Sequence, residues 1–181
     1  EDQLKHSESA LSEAGDLLKQ AYAIAVRSAS SINDDTANNA SINELKTIQG
    51  RLVAIGNQQN GNGQYLFSGQ MTYTQPFTLA APTINFNGDA NDLTVETGPN
   101  EYLKINTPGQ GFKDAYDAIE NLKNSIGSGA VGTISGVDID AMKGQMKSFV
   151  EARAEIGTRM QNVDALKLSF QRRSDDLSTQ I

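Results

Sequence analysis

The strongest constraint on the fold of this chain is an apolar repeat of seven residues near its C-terminus. Six apolar side chains recur at intervals of seven: Met142, Phe149, Ile156, Val163, Phe170 and Leu177. The companion position of the repeat holds three apolar and three polar residues: Met146, Met160, Ile181, Arg153, Lys167 and Ser174. A repeat maintained over this length is typical of a long α-helix that packs along other helices. We therefore predict a long final helix, capped at its start by Asp138 or Asp140.

A second repeat of the same kind opens the chain. Its first register holds Leu4, Leu11, Leu18, Ala25 and Ile32, and its second register holds the small residues Ser7, Ala14, Ala21 and Ser28. Small residues allow a neighbouring helix to approach closely. The pattern predicts a helix that continues to about Ser31 and pairs antiparallel with the final helix.

A polar break at residues 33–36 separates this helix from the next one. Short side chains such as those of Asn33, Asp34 and Asp35 can accept hydrogen bonds from the free N–H groups at a helix start. A second helix is predicted to follow, with one apolar face: Ile42, Leu45, Ile48, Leu52 and Ile55. The Asn-Gly pairs in the segment 57–63 predict its end.

The segment 64–109 has a different character, because helical periodicity disappears and all four prolines occur there. The residues 83–86 and 93–96, on either side of Asn87-Gly88-Asp89, predict a β-hairpin. A turn at Gly98-Pro99 then leads to a strand at 102–105. A short helix is predicted to begin near Phe112, with one apolar face: Ala115, Tyr116, Ile119 and Leu122. The glycine-rich residues 127–136 predict a flexible connection.

Taken together, these elements predict a mainly α fold, a bundle of long antiparallel heptad helices with an inserted antiparallel β domain. Residues 1–64 and 110–181 would form the discontinuous helical domain, and residues 65–109 the β domain. Since the chain would leave the bundle and return to it, we expect the β domain at the far tip.

Composition excludes several classes of function. Asp and Glu outnumber Lys and Arg by 22 to 15, and the net charge of −7 disfavours binding to nucleic acid. Cysteine is absent, which removes disulfides and thiolate chemistry from the range of functions. No apolar run approaches the roughly 18 residues that a membrane span requires, and no secretory signal opens the chain. We expect a soluble protein without a membrane partner.

Three local motifs stand out in the middle of the chain: Tyr65-Leu66-Phe67-Ser68-Gly69, Gln75-Pro76-Phe77 and Phe86-Asn87-Gly88-Asp89. Together they resemble the central signature of the flagellar hook-filament junction proteins, within the flagellin superfamily. Further segments that look like landmarks of this family are residues 51–57, Asn106-Thr107-Pro108-Gly109 with Phe112, and residues 152–159 with Met160.

This resemblance implies a structural subunit of the bacterial flagellum that assembles as a ring between hook and filament. It implies contacts with copies of itself, with a hook-associated protein on the hook side and with flagellin on the filament side. It also implies an export chaperone, and export to the cell exterior through the flagellar type III apparatus. From the resemblance we also expect that the terminal segments with which the family polymerises lie outside this sequence. Flagellin itself, which shares the terminal helices, remains an alternative.

Two motifs typical of ligand sites occur in the wrong context. The glycines at 127, 129 and 132 satisfy the G-x-G-x-x-G pattern of dinucleotide sites, but we expect them after a helix rather than a strand, with no helix starting at the third glycine. Asn85, Asn87, Asp89 and Glu96 stand at positions one, three, five and twelve of a calcium loop, but Ala90 replaces its glycine. We interpret both segments as structural.

The sequence offers little for catalysis. His6 is the only histidine, and we predict that it is a solvated helix residue. The pair Asp34 and Asp35 is predicted to cap a helix, and the pair Asp175 and Asp176 to lie on a solvated face. We predict no catalytic, cofactor-binding or metal-binding residues. An alternative of a different class is an adhesive or ligand-binding surface with an aromatic platform in the β domain: Tyr65, Tyr73, Phe77, Phe86 and Tyr102.

Overall fold

The computed structural model describes residues 1–30 and 34–179. Within them the helices are α1 (Asp2–Ser30), α2 (Asp35–Gly56), α3 (Gln110–Gly127), α4 (Val131–Thr133) and α5 (Ile139–Thr179), with a π-helical turn (Ile134–Asp138) between α4 and α5. The strands are β1 (Phe77–Ala80), β2 (Thr83–Phe86), β3 (Thr94–Gly98) and β4 (Glu101–Lys104). The predicted fold class, mainly α with an inserted antiparallel β region, is confirmed.

The long helices form a four-helix bundle in the cyclic order α1, α2, α3, α5. Helices α1 and α5 share the most extensive interface and run antiparallel, as the sequence predicts. Two ion pairs show this relative direction: Arg153 Nη2 lies 2.6 Å from Glu8 Oε1, and Lys167, further along α5, pairs with Glu1 at the start of α1. The two heptad repeats therefore meet each other along one side of the bundle.

The two predicted registers of the α1 repeat are buried along its whole described length. Leu4, Leu11 and Leu18 are at most 3% exposed, and the small residues of the second register are buried with them: Ser7, Ala14, Ala21 and Ser28. The burial of the apolar repeat of α5 changes along the helix. Its first three positions are buried, at Met142, Phe149 and Ile156, whereas Phe170 is 53% exposed. Ile32 and Ile181 lie outside the described residues, as does the side chain of Leu177.

The predicted cap of the second helix is confirmed at Asp34. Its backbone is extended, and its carboxylate Oδ1 accepts a hydrogen bond from the N–H of Thr36 at 2.9 Å. This bond satisfies one of the N–H groups that have no partner within the helix. Asn33, which the sequence assigned to the same break, lies outside the described residues.

Replacing Asp34 by alanine removes this acceptor and should lower the free energy of unfolding by about 1 kcal/mol, the usual effect of losing an N-cap side chain. Urea denaturation followed by circular dichroism measures the difference. Asp34→Asn keeps a side-chain oxygen at the same position and should lose less than half as much. Equal losses in the two variants would contradict the assignment of the cap.

The predicted hairpin between residues 83–86 and 93–96 is wrong. Strand β2 pairs instead with β1, which the sequence analysis missed, in a register that places Phe77 opposite Phe86. The predicted turn residues are used elsewhere, because the N–H of Asn87 donates to Pro76 O and the N–H of Asp89 donates to Ser68 O. The pairing of β3 with β4 across the Gly98-Pro99 turn agrees with the prediction.

The predicted flexible connection at 127–136 is mostly helical. Helical structure resumes at Val131 and continues through the π-helical turn into α5, so neither Asp138 nor Asp140 caps the start of a helix. Burial of Ile134, which is 2% exposed, holds this segment against the bundle. Helix α4 starts at Val131, one residue before the third glycine of the G-x-G-x-x-G pattern, so Gly132 lies inside a helix.

The predicted position of the β region at the far tip is wrong as well. Helix α2 runs back along α1, with Arg27 paired to Glu44 and Arg51 paired to Glu13. The chain has therefore returned to the level at which α1 begins before the first strand forms. A cleft of about 680 Å³ lies there between the start of α1, strand β3 and the second half of α5. The β region flanks this end of the bundle.

Candidate functional site

Five phenylalanines from separate parts of the chain meet where the β region joins the bundle. We call Phe67, Phe77, Phe86, Phe112 and Phe149 the aromatic cluster. The ring centre of Phe112 lies 4.6 Å from that of Phe67, 5.9 Å from that of Phe77 and 5.2 Å from that of Phe149. Offset and edge-on contacts at these distances are favourable beyond the apolar area that they bury. The cluster therefore holds β1, α3 and the loop that contains Phe67 against α5.

Gly109, directly before α3, makes room for the cluster. A Cβ atom at this position would lie 2.5 Å from the carbonyl oxygen of Phe67 and 2.8 Å from the ring of Phe86. Such distances are shorter than a real Cβ contact allows. The chain can enter α3 beside the aromatic rings because this residue has no side chain.

Asn57 ties the end of α2 to strand β1. Its Nδ2 donates to the carbonyl of Phe77 at 2.9 Å, and its Oδ1 accepts from the N–H of the same residue at 2.9 Å. A side-chain amide that satisfies both backbone groups of one residue acts like a neighbouring strand. The position of β1 relative to α2 is thus fixed by two hydrogen bonds.

Asn106 and Arg159 tie the second hairpin to α5. Oδ1 of Asn106 accepts from the N–H of Leu93 at 2.8 Å, and its Nδ2 donates to Asn91 O at 2.9 Å. The carbonyl of Asn106 in turn accepts from Nη1 of Arg159 at 2.8 Å. Arg159 is only 7% exposed, and its Nη2 pairs with Glu155. The base of the β3–β4 hairpin is therefore bonded to the final helix.

Arg159→Ala should lower the free energy of unfolding by about 2 kcal/mol, because the buried carbonyl of Asn106 loses its charged donor. Chemical denaturation of the purified chain measures the change. Arg153→Ala is the matched control on the same helix: the side chain of Arg153 is 39% exposed in its pair with Glu8, so its loss should cost at most about 1 kcal/mol. Similar losses in both variants would contradict a specific role of Arg159.

A sharp bend at Gly69 is closed by Asp89. Gly69 has a φ of +72°, and Asp89 Oδ1 accepts from the backbone N–H groups of Gln70 at 3.0 Å and Asn91 at 2.9 Å. These two donors hold the pKa of the Asp89 carboxyl below its ordinary value of 3.8. The carboxylate thus joins the loop before β1 to the loop after β2.

The residues considered for ligand chemistry do not assemble a site. Asn87 Nδ2 donates to Thr78 Oγ1 at 3.1 Å, and the Asp89 carboxylate is occupied by backbone donors, so the calcium-loop pattern serves as turn structure. His6 is exposed on α1. No cluster of three or more His, Asp or Glu side chains that could hold a metal ion occurs within residues 1–30 and 34–179. The pair Asp175 and Asp176 is exposed on α5.

The five aromatic residues suggested for an adhesive platform occupy different environments. Phe77 is fully buried and Phe86 packs against it, with ring centres 5.3 Å apart. Tyr73 and Tyr102 are 76% and 65% exposed, and Tyr65 is half-buried. The phenylalanines belong to the core, so the five side chains do not form one exposed surface.

The residues that fasten the β region were not assigned a role from the sequence. The sequence analysis included these residues only in segments that resemble family landmarks: Asn57, Asn106 and Arg159. A hydrogen bond from a side chain to a backbone group 20 to 53 residues away leaves no local pattern, so their role could not be predicted. The aromatic cluster was partly detectable, since four of its five phenylalanines lie in the quoted motifs or beside them. Phe149 was identified only as a member of the seven-residue repeat of the final helix.

Comparisons with known proteins agree with the sequence resemblance. Residues 1–72 match the family described as the bacterial flagellin N-terminal helical region. A putative flagellar hook-associated protein from Vibrio parahaemolyticus is similar in structure, with a TM-score of 0.88 and 22% identity over 99% of this chain and 85% of that chain. A search of curated protein sequences finds no significant match.

Two further solved structures are similar over almost the whole chain. FlgL from Xanthomonas campestris has a TM-score of 0.85 at 15% identity, covering 98% of this chain and 92% of that chain. The flagellar hook-associated protein 3 from Legionella pneumophila has a TM-score of 0.87 at 11% identity, covering 98% and 90%. The chain thus has the fold of these flagellar proteins. Among the described residues, none of the helices combines the length and the apolar composition that a membrane span requires.

Proposed function

We propose that this chain is a structural subunit of the bacterial flagellum that joins the hook to the filament. The observation that carries the proposal is the fold, which matches flagellar hook-associated proteins over nearly the whole chain at TM-scores of 0.85 to 0.88. The match of residues 1–72 to the flagellin N-terminal helical region supports the same assignment. The subunit works outside the cell after export through the flagellar type III apparatus.

The proposed action is mechanical rather than enzymatic. A subunit between two different polymers must transmit torque without bending between its parts. The aromatic cluster and the bonds of Asn57 and Arg159 provide the stiffness, because they fasten the β region to both α2 and α5. On this proposal, residues 65–109 form a β domain carried by a bundle of residues 1–64 and 110–181.

The proposed partners follow from this position in the flagellum. Copies of the chain form a ring, a hook-associated protein contacts its hook side, and flagellin contacts its filament side. An export chaperone would keep the subunit from assembling inside the cell. The exposed apolar side chains on the second half of α5, Leu168 and Phe170, suit contacts of this kind. The net charge of −7 argues against nucleic acid as a partner.

A filament subunit is the second candidate, favoured by the match to the flagellin N-terminal helical region. That match ends at residue 72, before the first strand β1, and leaves all four described strands outside it. The proteins with similar structures over nearly the whole chain are hook-associated instead. The junction role is therefore preferred.

The test is genetic. The native gene that encodes this chain is deleted from its bacterium, and swimming and flagella are examined by motility assay and electron microscopy. The proposal expects bare hooks, flagellin shed into the medium, and recovery of filaments when the gene is returned. Normal filaments in the deletion strain, or loss of flagellin itself, would contradict the junction role.

A further inference from the structure

Asparagine stands directly before glycine at three places in the chain: Asn60-Gly61, Asn62-Gly63 and Asn87-Gly88. In such a pair the backbone nitrogen of glycine can attack the side-chain carbonyl carbon of asparagine, because glycine has no side chain to obstruct the approach. The attack forms a five-membered imide and releases ammonia, and water then opens the imide. Whether a given pair reacts depends on how firmly the fold holds the two groups.

The pair at residues 87 and 88 is held by contacts of both members. Nδ2 of Asn87 donates to Thr78 Oγ1 at 3.1 Å. A Cβ atom at Gly88 would lie 2.8 Å from the ring of Phe86 and 2.9 Å from Ser68 Cα, so the glycine backbone is in close contact with its neighbours. The rotation that brings Asn87 Cγ to the glycine nitrogen would disrupt these contacts. The fold therefore protects this pair.

The side chain of Asn60 closes the loop that follows α2. Its Oδ1 accepts from the N–H groups of Asn62 at 3.0 Å and Gln64 at 3.1 Å, and its Nδ2 donates to Gln64 Oε1 at 3.2 Å. The backbone N–H of Asn60 also donates to Gln64 O at 2.8 Å. Imide formation would remove Nδ2 and turn the side-chain carbonyl toward Gly61, which disrupts this set of bonds. Asn60 is therefore protected as well.

Asn62 lies two residues further along the same loop and is exposed. Its carboxamide has no hydrogen-bond partner among the residues that the structure describes. Gly63 has a φ of +75°, and a Cβ atom there would meet nothing within 4 Å, so the glycine is not packed against the bundle. The N–H of Gly63 donates to Asn60 O at 3.0 Å, and the attack must break this bond. Loss of one exposed hydrogen bond slows the reaction by about tenfold at most.

We propose that Asn62 is a site of deamidation, at which the folded chain converts asparagine into aspartate and isoaspartate with water as the co-reactant. The nitrogen of Gly63 forms a bond to Asn62 Cγ and loses its proton to solvent. The bond from Cγ to Nδ2 breaks, and Nδ2 takes up a proton from solvent and leaves as ammonia. Water that adds at Cγ gives aspartate, whereas water that adds at the backbone carbonyl carbon gives isoaspartate. The reaction requires no flagellar partner, so it is independent of the proposed function.

Both products change the rim of the cleft at the start of α1. Asn62 lines that cleft together with Glu1, Asp2 and Glu96, so either product adds a carboxylate to a rim that already has three. Isoaspartate also lengthens the backbone by one atom, because the chain then runs through Cβ and Cγ of the residue. The extra atom displaces the backbone hydrogen bond that closes the turn. The modification therefore loosens the loop between α2 and the β region.

Peptide mapping by mass spectrometry tests the site. The purified natural chain is incubated in mildly alkaline buffer made with heavy-oxygen water, then digested and fragmented to locate each deamidated residue. Residue 62 should react at least about tenfold faster than residues 60 and 87, because more contacts hold the other two pairs. Its products should carry heavy oxygen and include isoaspartate. A rate at residue 62 that does not exceed the other two, or aspartate without isoaspartate, would overturn the proposal.

Two controls separate the effect of the fold from that of the local sequence. In concentrated urea the three pairs lose their contacts, and residues 60, 62 and 87 should react at similar rates. A preference for residue 62 that persists in urea would overturn the structural assignment. In the folded chain, Gly63→Ala places a methyl group beside the attacking nitrogen and should slow the reaction at residue 62 several-fold relative to residue 87. An unchanged ratio would contradict attack by this nitrogen.

Discussion

Replacing Phe112 by alanine should lower the free energy of unfolding by about 3–5 kcal/mol, the range observed when a large buried aromatic residue is truncated. Phe112 is 2% exposed and contacts Phe67, Phe77 and Phe149. Its removal leaves a cavity at the point where α3, the β region and α5 meet. Urea denaturation followed by circular dichroism at 222 nm measures the loss.

Phe170→Ala is the matched control for this variant. Phe170 is 53% exposed on α5, so the same truncation there should change stability by no more than about 0.5 kcal/mol. Equal losses of stability at the two positions would show that the aromatic cluster does not hold the β region on the bundle. Swimming speed of cells with the Phe112 variant should also fall, because a loosened β region transmits torque poorly.

Replacing Gly69 by alanine should cost about 2–4 kcal/mol through two separate effects. A φ of +72° costs a non-glycine residue about 1–2 kcal/mol. The new Cβ would also lie 2.0 Å from Asp89 Oδ1 and 2.3 Å from its carbonyl oxygen, which forces the closing carboxylate to move. Overpacking of this kind costs a further 1–3 kcal/mol. Thermal unfolding measures the sum.

Gly63→Ala separates the two effects. Gly63 has nearly the same backbone conformation, with a φ of +75°, but a Cβ there would meet nothing within 4 Å. Its substitution should therefore show only the backbone cost. If both variants lose the same free energy of unfolding, the contact between Gly69 and Asp89 does not help to hold the loop before β1 to the loop after β2.

The helical part of the fold could be predicted from the sequence because its apolar side chains recur periodically. Heptads of α1 and α5 persist over several turns, and the burial of Leu4, Leu18 and Ile156 follows directly from them. The α2 cap at Asp34 was readable for a similar reason, since capping is a local interaction between neighbours in sequence. These features depend on residues close together in the chain.

The errors lie where distant residues decide the structure. The strand at 83–86 was joined to 93–96 because Asn87-Gly88-Asp89 looks like a hairpin turn, but its backbone and carboxylate bond to Pro76, Ser68 and Gln70. The glycine-rich segment 127–136 looked flexible, but burial of Ile134 favours helix there. Tertiary contacts overrode a weak local preference in both cases.

The β region was placed at the wrong end because the prediction considered only the pairing of the two terminal helices. The second helix was itself predicted from its apolar face, but its crossing of the bundle was left out of that argument. Helix α2 adds one crossing, which moves the β region from one end to the other. The resemblance identified the correct residues, and their contacts became interpretable only when the aromatic cluster brought them together.

The most direct test of the central claim is the position of the protein in the flagellum. Because the natural chain lacks cysteine, Tyr73→Cys introduces a unique thiol on a side chain that is 76% exposed, and maleimide-gold can label it in intact flagella. The account predicts one narrow band of gold between hook and filament on each flagellum. Gold distributed along the whole filament would identify a filament subunit, and gold elsewhere on the cell surface would contradict a flagellar role.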